Sequence, residues 1–186
     1  MYGRRFVRMH VKVKAVATAG LLVAFSIIML ILGCVIETNS LFLIAAASFC
    51  VGIAIREWGT WFGLAFFVAS VALALLLVPN KFYCITYGAM GIYLWLYEWL
   101  WNCIAEKENM VYRKTSLWIG KFVFFNVLYV PILFLAPKLI FTGKINGIGA
   151  VLFWIIGQVV FLVYDIAYRY FQSHIWGKYR GRLIGN

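Results

Sequence analysis

The sequence predicts an all-α fold, a polytopic transmembrane bundle of about six spans. Three observations carry that expectation: 65% of the 186 residues are hydrophobic and only 12% are charged, the mean hydropathy is +0.93, and long apolar runs recur between short charged breaks. A soluble domain carries roughly 45–50% apolar and about 25% charged residues, so this chain lacks the polar surface to cover a water-facing globule. The same figures exclude intrinsic disorder, a collagen-like repeat and a disulfide-stapled secreted module. Barrel strands are excluded too, because the runs show no alternation of period two.

A span needs about 20 apolar residues to cross about 30 Å of hydrocarbon. The uncharged run Ala15–Ile36 meets that length and exceeds the core of a cleaved secretory signal, so it reads as a retained helix. The second run, Ser40–Ile55, is short and stops at Arg56-Glu57. The third, Trp58–Val78, ends at Pro79-Asn80-Lys81. The fourth extends from Phe82 to Ala105 and holds one acid, Glu98, before the polar break Glu106-Lys107-Glu108-Asn109. The fifth, about Thr115–Ala136, contains Lys121 and closes at Pro137-Lys138. The sixth, Ile145–Tyr164, is uncharged. The organisation expected is a basic segment over 1–14, a six-helix domain over 15–168 and a basic tail over 169–186.

Seventeen Lys and Arg against six Asp and Glu give a formal charge of +11. In a soluble chain this would suggest nucleic acid, but here the charges flank apolar runs and no nucleic-acid partner is expected. They read as orientation signals and as attraction to the headgroups of membrane lipids. Arg4, Arg5, Arg8, Lys12 and Lys14 precede the first span, and Arg169, Lys178, Arg180 and Arg182 follow the last. With six spans and both termini cytoplasmic, fourteen basic residues lie inside and three, Lys81, Lys138 and Lys144, outside. A multi-pass protein of the cell membrane is the expectation.

Glu98 and Lys121 each cost about 2.5 kcal/mol or more if unpaired at mid-membrane. Both fall near 10 Å depth at about 1.5 Å per residue, which suggests a buried ion pair across the hairpin of the fourth and fifth spans. That pair would fix register or serve as a relay. Asp165 and Arg169 are spaced for an i,i+4 pair. Asn126 and Gln158 lie near mid-span, where they bond each other or line a polar pocket. With Tyr87, Tyr129 and Trp154 they form the expected ligand-binding set, since aromatic walls with a few amides suit a small, flat, partly apolar molecule. Trp58, Trp61, Tyr83, Trp99, Trp101, Trp118 and Trp176 fall where interfacial anchors are expected.

Cys34, Cys50, Cys84 and Cys103 show no metal-binding or redox spacing, and His10 and His174 sit in the basic ends. No metal, cofactor or catalytic residue is expected. Phosphate-binding loops, dinucleotide fingerprints and hydrolase motifs are missing, so any ATP hydrolysis would reside on other chains.

Small residues permit close helix approach in lipid. Ala15, Ala19, Gly20 and Ala24 give the first helix an Ala-x-x-x-Ala and a Gly-x-x-x-Ala pattern, a candidate partner-docking face. Gly59, Gly63, Ala65 and Ala69 do the same for the third. With its length and basic N-terminus, the chain resembles the substrate-binding S components of energy-coupling factor transporters. That resemblance implies outward capture of a vitamin-like molecule, and docking through Ala15, Ala19, Gly20 and Ala24 onto a membrane coupling subunit served by ATPases. The chain also looks like small six-span proteins of Gram-positive bacteria, through Glu57-Trp58-Gly59, Pro79-Asn80-Lys81, Lys121 with Phe125-Asn126, and Tyr164-Asp165. That second likeness carries no activity. Two functions lead: a solute-binding transporter subunit for micronutrient uptake, and a non-transporting accessory or assembly protein that packs against a partner or anionic lipid; a membrane enzyme acting on lipid or isoprenoid substrates ranks below both, since apart from Glu106 and Glu108 the paired acids it needs are missing.

Overall fold

A computed structural model describes residues 3–104, 110–135 and 147–178. Among them are six α-helices and no strand: α1 (Gly3–Val35), α2 (Ser40–Trp58), α3 (Thr60–Leu77), α4 (Lys81–Ile104), α5 (Met110–Leu135) and α6 (Gly147–Tyr170). A 3₁₀ turn, Glu37–Asn39, joins α1 to α2, and a π-helical stretch, Phe171–Trp176, continues α6. Among the described residues, four segments are long and apolar enough to cross a membrane: Ala15–Val35, Ser40–Trp58, Thr60–Leu77 and Val151–Trp176. At 24 residues α4 has the length, but its tyrosines and tryptophans, with Glu98, lower its hydropathy because phenol and indole rings carry polar tips. The outward surface is that of a membrane protein, with Leu21, Val35 and Leu76 all more than 70% exposed.

Several boundaries differ from expectation. From Gly3 the basic segment is helical and continuous with the first span, which starts at Ala15. The second span is not short: α2 continues through Arg56 and Glu57 to Trp58, since both charges find partners described below. The chain then turns at Gly59, whose φ of +94° is strained for any residue with a Cβ. Gly59 is thus a turn residue, and α3 starts at Thr60 instead of Trp58. At the other end, α6 runs past the uncharged stretch to Tyr170 and holds Asp165 and Arg169, as their i,i+4 spacing led one to expect. The breaks at Glu106–Asn109 and Pro137-Lys138, and tail residues Arg180 and Arg182, lie outside the described residues.

Where the sequence reads one domain over 15–168, the chain divides into two compact units, Met1–Glu98 with Gln172–Asn186, and Trp99–Phe171. In the first, α2 is the central helix, burying an unbroken run from Ala47 to Ile55. Its Ile44, Val51 and Ala54 pack with Leu30 of α1, Phe66 and Phe67 of α3, and Cys84 and Tyr87 of α4. Gly63 makes the α2–α3 contact possible, because a Cβ there would stand 2.9 Å from the Ile55 Cα. A Cβ at Gly91 would likewise run into the Phe67 ring, so α3 and α4 meet there. Ala65 and Ala69, by contrast, face outward. Within the second unit, Gly120 admits Leu100 and Gly157 admits the Tyr129 ring. From α2 to α6, then, each consecutive helix pair has a glycine at a point of close approach, the device expected where lipid supplies no hydrophobic drive.

The α3–α4 connection shows why Pro79-Asn80-Lys81 breaks the chain. Pro79 cannot continue the hydrogen-bond ladder. Asn80 then caps α4, its Oδ1 accepting the Phe82 N–H at 3.1 Å. Lys81 folds back so that its ammonium donates to the Leu75 and Val78 carbonyls, satisfying the C-terminal end of α3.

Candidate functional site

Polar and aromatic side chains spaced three or four residues apart fall on one face of a helix. On α5 that rule aligns Trp118, Lys121, Phe125 and Tyr129, and on α6 it aligns Trp154, Gln158, Phe161, Asp165 and Arg169. The two faces meet in antiparallel order as a ladder. At its first rung the Lys121 ammonium donates to Asp165 Oδ1 at 2.8 Å and Oδ2 at 3.1 Å. Arg169 Nε reaches Asp165 Oδ2 at 3.2 Å, the expected i,i+4 pair. The Trp118 ring centre lies 5.9 Å from the Lys121 ammonium and 6.0 Å from the Arg169 guanidinium carbon, within cation–π range. Next, Phe125 stacks on Phe161 with centroids 4.3 Å apart, and on Tyr129 at 5.1 Å.

Asn126 forms the third rung. Its Oδ1 accepts from the Trp154 indole at 3.1 Å and from Gln158 Nε2 at 3.0 Å, while its Nδ2 donates to the Phe122 carbonyl in its own helix at 2.8 Å. At the fourth, the Tyr129 hydroxyl donates to the Phe153 carbonyl at 2.9 Å, across the space left by Gly157. One group on this seam is unmatched: Gln158 Oε1 is shielded from solvent and has no hydrogen-bond partner.

Four of the five residues expected to bind a ligand, Asn126, Tyr129, Trp154 and Gln158, therefore converge. They do so by bonding to one another or to backbone. Tyr87 belongs to the first unit, fully buried, where its hydroxyl donates to Ser70 Oγ at 2.8 Å and Ser70 donates to the Phe67 carbonyl. It is a core residue and walls no open cavity. The first unit does hold an open cleft of about 540 Å³, lined by Cys34, Pro79, Asn80, Lys81, Phe82 and Tyr83. None of the five lies on it.

Glu98 and Lys121, expected as a pair, fall in different units, and each has a partner within its own. Glu98, 3% exposed, accepts from Arg56 Nη2 at 2.7 Å and Nε at 2.8 Å. Lys121 is held by Asp165. Beside Arg56, the carboxylate of Glu57 accepts from the Trp176 indole at 2.9 Å, which ties the π-helical stretch to α2 within the first unit. Sequence reasoning treated Arg56-Glu57 as a span terminator and missed both partners. The signal was available in Arg56, a basic residue at the same end of its span as Glu98 is of α4.

The proposed docking face on α1 divides. Ala19 is 8% exposed and part of the core of the first unit, and Ala15 is half-buried. Gly20 and Ala24 face outward, and a Cβ built on Gly20 meets nothing within 4 Å. Compared with family models, curated proteins and solved structures, the chain matches none.

Proposed function

We propose that this chain is a non-catalytic accessory or assembly subunit of the cell membrane, with both termini cytoplasmic, that holds a protein partner through the outward face of α1 and anionic lipid through its basic ends. The observation that carries the reading is the closed hydrogen bonding of Asn126. Its carbonyl already accepts two donors and its amide nitrogen is engaged, so the groups a solute site would need are occupied by Trp154, Gln158 and the α5 backbone. Breaking them for a ligand would cost what the ligand gains. The orientation is supported by the fourteen-to-three split of basic residues. Gly20 and Ala24 support the partner contact, since small outward residues let a second helix approach.

A second reading, the solute-binding transporter subunit, is favoured by Gln158 Oε1, a shielded acceptor that a ligand N–H could satisfy. Two measurements separate them. A ligand of the folded state at a hundredfold excess over its Kd adds about 2.7 kcal/mol of stability, so a panel of vitamins should leave the melting temperature of the pure protein unchanged. A shift abolished by Asn126→Ala overturns the accessory reading. In native membranes, Gly20→Cys should give one discrete thiol-cross-linked product that Ala24→Trp removes, and a smear or no product refutes the partner contact.

A further inference from the structure

We infer that Cys34 and Cys84 form an oxidisable thiol pair, closed to an intrachain disulfide by exchange with a small disulfide of the glutathione kind. No spacing motif shows the pair, because the two thiols come from the last turn of α1 and the first turn of α4. The fold brings them together. Cys34 walls the open cleft of the first unit along with Asn80, Lys81, Phe82 and Tyr83. Cys84 follows Tyr83, and its Sγ lies 3.8 Å from the carbonyl oxygen of Asn80 on that same wall. Both belong to one packed cluster, Cys84 as a core member and Cys34 packed against it, and a charge on Cys34 is felt at Cys84.

Burial separates the roles of the two thiols. Cys34 is half-buried and opens onto the cleft, while Cys84 is 2% exposed, so a reagent in water meets Cys34 first. The Cys34 thiolate attacks one sulfur of the reagent, which forms a mixed disulfide and releases one small thiolate. The Cys84 thiolate then attacks the Cys34 sulfur, the Cys34–Cys84 bond forms, and the second small thiolate leaves. Two protein thiols and one small disulfide thus become one protein disulfide and two small thiols, which carry away the two protons. Cys84 can give up its proton without orphaning a partner. Its thiol donates to the Ala74 carbonyl at 3.3 Å and toward that of Asn80, but the first also accepts from the Val78 N–H and the second from the Tyr83 N–H. A bridge needs Cα atoms within about 7 Å, and both cysteines stand in end turns, which shift most readily. With both termini cytoplasmic, the orientation proposed above, this end of the unit faces outward, the side on which disulfides persist.

The test is peptide mapping by mass spectrometry of the whole chain in nanodiscs, with Cys103→Ser removing an exposed thiol, after incubation with glutathione disulfide. One cross-linked peptide joining Cys34 to Cys84 is expected, with Cys50 still a thiol, and dithiothreitol should reverse it. Cys84→Ala should stop the exchange halfway, with glutathione retained on Cys34, whereas Cys34→Ala should acquire no glutathione at Cys84. If the folded protein, judged by unchanged circular dichroism, leaves Cys34 unmodified or carries glutathione there without closing the bridge, the pair is overturned. A bridge from either cysteine to Cys50 or to a second chain overturns it too. On intact cells a membrane-impermeant maleimide should reach Cys34 from outside. Labelling that requires permeabilised cells refutes the outward orientation alone, since the nanodisc measurement decides the pair without it.

Discussion

Removing the two partners of the buried α5–α6 ion pair should have unequal consequences, and the inequality follows from the geometry. Lys121→Met leaves Asp165 with Arg169 at 3.2 Å, so the buried carboxylate keeps one counter-charge. The loss is one hydrogen-bonded ion contact, about 1.5–3 kcal/mol. Asp165→Asn instead leaves the ammonium of Lys121, 5% exposed, without its carboxylate and close to a second cation. Breaking a buried pair by removing the carboxylate costs about 3–5 kcal/mol, so Asp165→Asn should be the worse by about 2 kcal/mol. The double variant Lys121→Met/Asp165→Leu removes the buried charges together, while Arg169 can extend its head toward the interface. It should recover to within about 1–2 kcal/mol of the wild type, as replaced buried pairs do. Reversible unfolding in mixed detergent–SDS micelles, followed by far-UV circular dichroism, reads all three. Equal damage from the two single variants, or a double variant no better than Asp165→Asn, would refute the assignment of Asp165 as the shared counter-ion.

The other predictions concern packing and hydrogen bonds. Gly157→Ala should push the Tyr129 ring off α6 and break its bond to the Phe153 carbonyl, costing about 1–3 kcal/mol as overpacking does; Tyr129→Ala in the same chain should remove most of that added penalty, and simple additivity would count against the contact. Glu98→Gln should destabilise the protein by leaving Arg56 with a neutral partner, and a double-mutant cycle with Arg56→Met should show a coupling of about 0.5–3 kcal/mol, whereas zero coupling would remove that pair. Trp176→Phe keeps the apolar bulk but deletes the donor to Glu57. It should cost about 1 kcal/mol and hasten proteolysis after residue 170 without altering detergent extraction, and unchanged cleavage would show that this contact holds nothing in place.

Helix type and membrane character were legible because they rest on composition and run length, which need no knowledge of neighbours. Helix ends were less so. Arg56 and Glu57 read as terminators only if assumed solvated, and each is instead held inside a helix by a side chain remote in sequence. Partner choice met the same limit. Depth placed Glu98 and Lys121 level, but depth alone does not say which helix faces which, and Arg56 and Asp165 satisfy the same rule. The cluster of Asn126, Tyr129, Trp154 and Gln158 was readable as polar residues near mid-span of adjacent helices. That they would saturate one another depended on an alignment fixed by Gly157, to within one residue, which no local pattern reveals. Ala19 and Gly20 look equivalent as small residues, yet the 100° step between neighbours puts one in the core and the other outside.

The order of the α5–α6 contacts has a consequence for how the two helices find their register. Ionic, stacked-ring, amide and phenol contacts succeed one another along the seam, and no two adjacent ones are chemically interchangeable. Sliding one helix by a turn would set Asp165 against the Phe125 ring and take the buried Lys121 ammonium away from its carboxylate, a penalty several times thermal energy. Two greasy helices in lipid can otherwise slip past each other at little cost, because every offset buries similar surface. Here the mismatched offsets are each penalised by a different group, so the two helices have a single favourable alignment to find.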